Sequence, residues 1–194
     1  MTFGSDFGKI ITLSVIKEEK MKFSLVPDFR FDKFSEATLD FLQKEGIKGV
    51  ILDIDNTLEP YENPLPSSEV KEWLHTLNNN GIKTAFVSNN GKERVNTFNE
   101  ELKMPAYYKA KKPFPKNLKR AMRDIGSDKS NTVMMGDQVF TDVLAGRFAG
   151  IRTILLPPIK DKTDALTKFK RLLEKPILKK YEKRENKRKK EEEK

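Results

Sequence analysis

The stretch Gly49-Val-Ile-Leu-Asp-Ile-Asp-Asn-Thr57 carries the strongest structural signal in this sequence. It begins with a run that is apolar on both faces, which is typical of a central strand in a parallel sheet covered by helices on each side. Asp53 and Asp55 stand where this strand ends. Because side chains at positions i and i+2 of a strand point to one face, we expect the two carboxylates to share a site at the carboxyl edge of the sheet.

On both sides of this stretch, strand patterns alternate with helix patterns. Apolar runs predict further strands at 83–88, 131–135 and 152–156, and a short extended piece is predicted at about 106–109. The segments between them have helical spacing of their apolar residues. Strands that alternate with helices of this length predict an α/β fold with a Rossmann-like, doubly wound, mostly parallel sheet.

Several helix ends and faces are also predicted. One helix starts at Ser35, an N-cap residue type, and stops at Gly46. A second follows Ser67, and its apolar face consists of Val70, Trp73, Leu74 and Leu77. Further helices are predicted at about 92–102 and before Gly126. The last helix before the 152–156 strand has a predicted buried face of Phe140, Val143, Leu144 and Phe148.

Composition excludes several classes of site. The 194 residues, 37% of them hydrophobic, suit one globular domain with short extensions. The absence of Cys excludes disulfide scaffolds, cysteine nucleophiles, thiolate zinc sites and iron–sulfur clusters, and a single His excludes a multi-histidine metal site. Lys and Arg number 38 against 29 Asp and Glu, a formal charge of +9, which favours anionic partners such as nucleic acid, acidic lipid or phosphorylated small molecules.

The chain ends differ from this central part. No window approaches the roughly 20 apolar residues of a transmembrane helix, and the run at 10–16 lacks the features of a signal peptide, so we expect a cytoplasmic protein. Residues 1–20 are interpreted as an N-terminal extension. Residues 179–194 contain nine basic and five acidic side chains and almost nothing apolar, which predicts a frayed helix or a disordered tail. A solvated tail is favoured over a nucleic-acid or membrane anchor.

Polar groups stand at the ends of three predicted strands. The run Ser88-Asn89-Asn90-Gly91 offers a hydroxyl, amides and backbone N–H groups suited to phosphate oxygens. Asp137 ends another strand, with Asp142 five residues later, and Lys112 before Pro113 could bring an ammonium group to the same crevice. Each of these residues alone could be a cap, a turn or a surface residue. Together they lie on the edge where open α/β sheets bind ligands.

The paired carboxylates Asp53 and Asp55 also suggest a cation. Two carboxylates held close together repel one another, so a cation is needed for both to act in the ionised form. An all-oxygen site of this kind suits Mg²⁺. The alternative is a pair of turn-forming residues at the end of a strand.

In order and spacing these residues resemble the four motifs of the haloacid dehalogenase-like (HAD) phosphatase superfamily, over residues 47–157. The motifs are Asp53-x-Asp55-x-Thr57, Ser88, Lys112, and Asp137 with Asp142. The resemblance implies that Asp53 is the nucleophile that forms an aspartyl phosphate and that Asp55 is the general acid and base.

The same resemblance implies the remaining roles. Mg²⁺ would be held by the carboxylates of Asp53 and Asp137 and by the main-chain carbonyl of Asp55, with Asp142 supporting these ligands from outside. The oxygens of the phosphoryl group would be bound by a polar set consisting of Ser88, Asn89, Lys112 and Thr57.

The motif sequences are most similar to the YqeG-type branch of HAD class IIIA, whose relatives include mitochondrial phosphatidylglycerophosphate phosphatases. They are Leu52-Asp-Ile-Asp-Asn-Thr-Leu58, Val87-Ser-Asn-Asn90, Ala110-Lys-Lys-Pro113 and Gly136-Asp-Gln-Val-Phe-Thr-Asp-Val143. The resemblance starts near Met21, so the predicted domains are an extension at 1–20, an HAD-like domain at 21–176 and a charged tail at 177–194. The intervals between motifs leave no room for a cap domain, and an uncapped site could receive a phosphate carried on a bulky group.

Three functions are therefore considered. The first is an Mg²⁺-dependent phosphatase of phosphatidylglycerophosphate with peripheral contact to anionic membrane. The second is a soluble phosphatase of a sugar phosphate or nucleotide, although relatives of that kind often carry a cysteine-bound zinc loop that this sequence lacks. The third is an RNA- or ribosome-binding protein that uses the basic tail, against which the complete set of motif residues argues.

Overall fold

A computed structural model describes residues 24–160 and 165–192 of the chain, and the predicted extension at 1–20 lies outside them. Six strands form one sheet in the order β1-β6-β5-β2-β3-β4, and every paired strand runs parallel to its neighbour. Their bounds are β1 Phe29–Arg30, β2 Gly49–Leu52, β3 Lys83–Val87, β4 Ala106–Tyr107, β5 Thr132–Gly136 and β6 Arg152–Leu155. The predicted parallel α/β sheet is confirmed, and the short edge strand β1 is an addition to it.

Six α-helices accompany the sheet in the described residues. They are α1 Leu39–Lys44, α2 Ser68–Asn79, α3 Lys92–Asn99, α4 Lys116–Asp124, α5 Leu144–Ala149 and α6 Ala165–Glu192. A 3₁₀ turn at Phe34–Glu36 precedes α1, and a π-helical turn at Val139–Val143 leads directly into α5.

The sheet has helices on both faces because its central strand is apolar on both. All four residues of β2 are buried. Val50 and Leu52 pack in a cluster with residues of α2 and α3, whereas Ile51 packs in a second cluster with residues of α4 and α5. The strand order reverses at β2, which has β3 on one side and β5 on the other. Ligands of open α/β sheets bind at such a reversal, outside the carboxyl ends of the strands.

One predicted helix start is confirmed and the other is wrong. Ser67 is the N-cap of α2, and its side chain accepts a hydrogen bond from the backbone N–H of Val70. The N-cap of α1 is Thr38, which accepts from Phe41. Ser35 lies instead in the preceding 3₁₀ turn, where its hydroxyl donates to Glu69. Both residue types can cap a helix, and the 3₁₀ turn separates the first candidate from the α-helix.

The predicted buried face at 140–148 is also partly wrong. Phe148 is 46% exposed, whereas Val139, Val143, Ala145 and Ala149 are buried. The π-helical turn adds a residue to one turn of the helix and so shifts the 3.6-residue spacing on which the prediction depended.

The C-terminal segment is helical through residue 192, where the sequence predicts a frayed helix or disorder. Its Lys, Arg and Glu residues have good helix propensity, and pairs such as Lys187 with Glu191 at i, i+4 support the helix. Arg184 also donates to the carbonyls of Pro27 and Asp28 beside β1. The domain boundary at 176/177, which falls inside α6, stays a prediction. Among the described residues, no helix combines the length and the apolar character needed to cross a membrane.

Candidate active site

A polar hollow of about 210 Å³ opens at the carboxyl ends of β2, β3 and β5. It is lined by Asp53, Asp55, Asn56, Ser88, Asn89, Asn90, Lys112, Gln138 and Thr141. Five of the residues singled out from the sequence are therefore brought together here: Asp53, Asp55, Ser88, Asn89 and Lys112.

Asp53 and Asp55 end the central strand, as the sequence predicts, but they have different partners. Asp53 is 6% exposed, its N–H donates to Met135 at 3.0 Å, and its Oδ1 lies 2.7 Å from the Nζ of Lys112. Asp55 accepts hydrogen bonds from Asn90 Nδ2 at 2.6 Å and from Arg94 Nε at 2.9 Å. One carboxylate thus faces a lysine, and the other is oriented by an amide and a guanidinium group.

Lys112 joins two of the carboxylates. Its Nζ lies 2.7 Å from Asp53 Oδ1 and 2.7 Å from Asp142 Oδ1, and its side chain is only 2% exposed. Burial alone would lower the pKa of Lys112, but the negative charges of Asp142 and Asp53 outweigh burial and raise that pKa. The ammonium group is therefore a fixed positive charge at the base of the hollow.

Asn89 holds the backbone of Lys112. Its Oδ1 accepts from the Lys112 N–H at 2.7 Å, and its Nδ2 donates to the Lys112 carbonyl at 3.2 Å. The sequence predicts Asn89 as a phosphate-binding residue, whereas in the structure its side chain positions the lysine. Ser88 is buried directly before it, and the Ser88 hydroxyl accepts from the N–H of Asn90 at 3.1 Å.

Asp53, Asp137 and Asp142 form a buried cluster. Each offers a carboxylate oxygen, and these oxygens lie within 4.8 Å of one another. Asp142 also accepts from the N–H of Gln138 at 3.1 Å. It packs so closely on Gly136 that a Cβ added there would lie 2.2 Å from the Asp142 carboxyl carbon. Only glycine at 136 leaves room for this carboxylate.

The cluster fits a divalent cation in both chemistry and charge. Its donors are all oxygens, the ligand type that Mg²⁺ prefers. Three carboxylates and one ammonium group meet here, so the negative groups outnumber the positive one among these four side chains. Burial, opposed by Lys112 and assisted by Asp142 and Asp55, raises the pKa of Asp53 from 3.8 to about 6. The site therefore lacks positive charge, and a bound cation would supply it.

Thr57, predicted to bind phosphate, does not line the hollow. It is 2% exposed, and neither its hydroxyl nor the buried side-chain carbonyl of the neighbouring Asn56 has a hydrogen-bond partner within the described residues. Asn56 has a φ of 61°, which turns the chain away from the strand direction directly after Asp55. The turn therefore separates Thr57 from the strand direction that Asp53 and Asp55 follow.

Sequence reasoning missed Arg94. It lies in the first turn of α3, donates to Asp55 and to the carbonyl of Pro64, and stacks its guanidinium group 5.3 Å from the ring centre of Phe98. A basic residue in the first turn opposes the helix dipole. Arg94 stands three residues after Gly91, where the polar run ends. A basic residue at this unfavourable position is the signal that could have pointed to a nearby carboxylate.

The chain is similar to known proteins in both sequence and structure. The family model described as haloacid dehalogenase-like hydrolase matches residues 36–156. The chain is 37% identical over 158 residues to a protein of Bacillus subtilis (strain 168) named probable phosphatase YqeG, covering 81% of this chain and 92% of the relative. It is 30% identical over 111 residues to the pyrophosphatase PpaX of Halalkalibacterium halodurans, covering 53% of this chain and 48% of that protein.

Among solved structures, the cobalt-bound deoxy-D-mannose-octulosonate 8-phosphate phosphatase of Haemophilus influenzae is similar, with a TM-score of 0.48 and 18% identity. The match covers 58% of this chain and 69% of that chain.

Proposed function

Because the chain belongs to the haloacid dehalogenase-like hydrolase family and is a phosphatase of that family, we propose that it cleaves phosphate monoesters through an aspartyl phosphate on Asp53. The observation that carries this proposal is the position of Lys112, 2.7 Å from both Asp53 and Asp142 in a cluster of buried carboxylates. A carboxylate meets strong repulsion from a phosphate dianion, and a buried ammonium group beside it offsets that repulsion.

In the first step, a carboxylate oxygen of Asp53 attacks phosphorus, and the bond from phosphorus to the ester oxygen breaks. Asp55 donates a proton to the departing oxygen, so the alcohol leaves neutral. In the second step, Asp55 takes a proton from water as the water oxygen attacks the phosphorus of the aspartyl phosphate. Inorganic phosphate leaves, and Asp53 returns to its carboxylate form.

Asp55 needs a fixed orientation for both proton transfers. Its two oxygens accept from Asn90 and Arg94, one each. These two bonds hold the carboxyl group at the mouth of the hollow, and Asp55 is only partly buried, which gives it access to the leaving group and to water.

Phosphate binding is proposed for Lys112, Ser88 and Asn89, with Lys112 supplying the charge and Asn89 contributing through its hold on the Lys112 backbone. Thr57 does not line the hollow, so any contribution from it would be indirect. Mg²⁺ is proposed for the cluster, with the carboxylates of Asp53 and Asp137 and the main-chain carbonyl of Asp55 as ligands and Asp142 beside them. When bound, Mg²⁺ would neutralise negative charge on the phosphoryl oxygens.

For the substrate, we propose phosphatidylglycerophosphate, which would yield phosphatidylglycerol and phosphate. Two observations support a bulky, membrane-borne phosphomonoester. Between Asp55 and Lys112 the chain forms only α2, β3, α3, β4 and their connections, so no inserted domain covers the hollow. The chain also carries a formal charge of +9, which favours contact with anionic lipid.

The test is a phosphate-release assay with Mg²⁺ on phosphatidylglycerophosphate in vesicles, sugar phosphates, nucleotides and pyrophosphate. Pyrophosphate is included because one relative is named a pyrophosphatase. The proposal expects the lipid to be turned over fastest. If a sugar phosphate or nucleotide is the better substrate at every salt concentration, the lipid assignment is wrong and the soluble-substrate alternative replaces it.

A further inference from the structure

The segment between Glu101 and Asp124 has an unusual charge distribution. It contains eight Lys and Arg residues and no Asp or Glu. Lys112 is buried in the active site, and the other seven are exposed. In a chain where acidic residues are otherwise frequent, this segment concentrates positive charge on one part of the surface.

Five of these cations surround a shallow hollow. Its volume is about 780 Å³, and no acidic residue lines it. Its side chains come from the β4–α4 loop and the first turns of α4, and we call it the β4–α4 face: Lys109, Lys111, Phe114, Lys116, Lys119 and Arg120. Phe114 is 66% exposed among these cations, and Tyr108 nearby is 42% exposed. The face therefore combines positive charge with exposed aromatic rings.

This face lies directly beside the active site and is fixed to it. Lys109 N–H donates to Asn90 at 2.7 Å, and Ala110 N–H donates to the carbonyl of Ser88 at 3.0 Å. Lys111 is exposed and belongs to the face, whereas the next residue, Lys112, is buried and belongs to the site. A group bound at the β4–α4 face is thus held next to Asp53.

The C-terminal helix is also rich in Lys and Arg, but acidic residues lie among its cations and pair with three of them. Glu185 lies 3.4 Å from Arg184 and 3.5 Å from Arg188, and Lys187 pairs with Glu191 at 3.7 Å. These acidic residues weaken the positive field of the helix, especially in salt. The β4–α4 face has no acidic residue in its lining and presents a field of a single sign.

We propose that the β4–α4 face binds the surface of an anionic bilayer and so presents a lipid-borne phosphomonoester to Asp53. This inference rests on the proposed function, since it supplies the route by which a membrane substrate reaches the site. Clustered Lys and Arg side chains bind anionic headgroups. An exposed aromatic ring among them can enter the boundary between headgroups and acyl chains. Binding of a free anion in water would not need such a ring, so the ring favours a membrane surface as the partner.

The experiment measures binding of the full chain to vesicles without substrate, comparing phosphatidylcholine alone with phosphatidylcholine plus phosphatidylglycerol. The double variant Lys116→Glu/Lys119→Glu alters the β4–α4 face, and Phe114→Ser removes its ring. A matched control, Lys180→Glu/Lys183→Glu, reverses two exposed cations at the same spacing on α6. Glu in the first turn of α4 is favourable to the helix dipole, so the double variant should fold.

We expect the wild type to bind only the anionic vesicles, and binding to weaken as salt rises. Lys116→Glu/Lys119→Glu should bind at least about tenfold more weakly, since each basic side chain near an anionic surface contributes substantially to binding. Phe114→Ser should weaken binding about threefold to tenfold, and the α6 control less than about threefold. All variants should hydrolyse soluble p-nitrophenyl phosphate at the wild-type rate, which shows an intact site.

Several outcomes would overturn the inference. One is an α6 control that loses binding as much as the β4–α4 variant, because the C-terminal helix would then be the membrane contact. Another is a wild type that releases phosphate but binds no vesicles, which leaves the proposed function standing. A third is a wild type that binds RNA in a salt-sensitive way but binds no vesicles, when Lys116→Glu/Lys119→Glu has lost the RNA binding. The face would then bind nucleic acid instead of a membrane. Normal vesicle binding without phosphate release from any substrate would instead support the face and contradict the proposed function.

Discussion

The active site and the C-terminal helix use the same kinds of charged residue in opposite ways. At the site, Lys112 is 2% exposed and lies 2.7 Å from two carboxylates. On α6, Lys187 and Glu191 form a pair at 3.7 Å with side chains 79% and 65% exposed. Exposed pairs contribute about 0 to 1 kcal/mol to stability, whereas removing one partner of a buried pair costs about 3 to 5 kcal/mol. Burial rather than the number of ion pairs therefore decides which charges matter.

The largest expected effect is on turnover. Asp53→Asn should lower the rate of phosphate release by about 10⁴-fold or more, because the amide is nearly the same size but a far poorer nucleophile. Glu185→Gln on α6 is the control and should leave the rate unchanged. Phosphate release and circular dichroism check this prediction. Substantial turnover by Asp53→Asn, beyond what deamidation supplies, would mean that another group attacks phosphorus.

The second effect is on stability. Lys112→Met keeps the length of the side chain but leaves Asp53 and Asp142 without their counter-ion. Measured without metal, the free energy of unfolding should fall by about 3 kcal/mol or more. Urea denaturation gives this value, and Lys187→Met on α6 should change it by less than about 1 kcal/mol. An equal loss of unfolding free energy in Lys112→Met and Lys187→Met would mean that buried and exposed ion pairs contribute alike.

The third effect is on metal dependence. EDTA should abolish activity and Mg²⁺ should restore it, because the three carboxylates of the cluster outnumber its one ammonium group. Asp137→Ala removes one carboxylate ligand and should raise the Mg²⁺ concentration for half-maximal rate by about tenfold or more. A titration of rate against Mg²⁺ measures this shift. Full activity in excess chelator would rule out the metal assignment.

The fourth effect is on pH. The pKa of Asp53 in the metal-free protein is raised from 3.8 to about 6, chiefly by burial. Between these values the folded protein keeps a proton that the unfolded chain has lost, so metal-free stability should fall as pH rises through this window. Mg²⁺ needs the ionised carboxylate, so its affinity should rise by up to about tenfold per pH unit until about pH 6. Calorimetry tests both trends, and Asp53→Asn should remove them.

The smallest effect at the site concerns Arg94. Arg94→Gln should lower kcat by about tenfold with little change in KM, because Asp55 loses one of the two bonds that orient it. Arg94→Lys should recover part of the rate. A rise of about tenfold in KM with unchanged kcat would mean that Arg94 binds substrate rather than positioning Asp55.

Much of the fold could be predicted from the sequence because it depends on apolar spacing. The run that ends at Asp53 is buried on both faces, so it is recognisable without its neighbours. The edge strand β1 has only two residues and partial burial, which leaves no periodic pattern to detect. The predicted face that includes Phe148 is wrong because a π-helical turn changes the spacing, and the apolar pattern does not reveal that turn.

The site residues were predictable where they follow strands and unpredictable where they depend on packing. Asp53, Ser88 and Asp137 occupy strand ends, which the parallel topology brings to one edge. The contact of Arg94 with Asp55 joins the loop after β2 to α3, and the position of Thr57 depends on the turn at Asn56. Neither depends on a repeating pattern, so neither follows from apolar spacing.

One bond of α6 bears on when the chain becomes an enzyme during its synthesis. Glu174, 3% exposed, accepts from the N–H of Val139 at 3.1 Å, and Val139 is the first residue of the π-helical turn that carries Asp142. A ribosome releases Asp142 before Glu174, so a nascent chain that ends before residue 174 contains every motif residue but leaves a buried N–H without this acceptor. The hydrogen bonding of the turn that carries Asp142 is therefore completed only after the start of α6 has emerged from the ribosome.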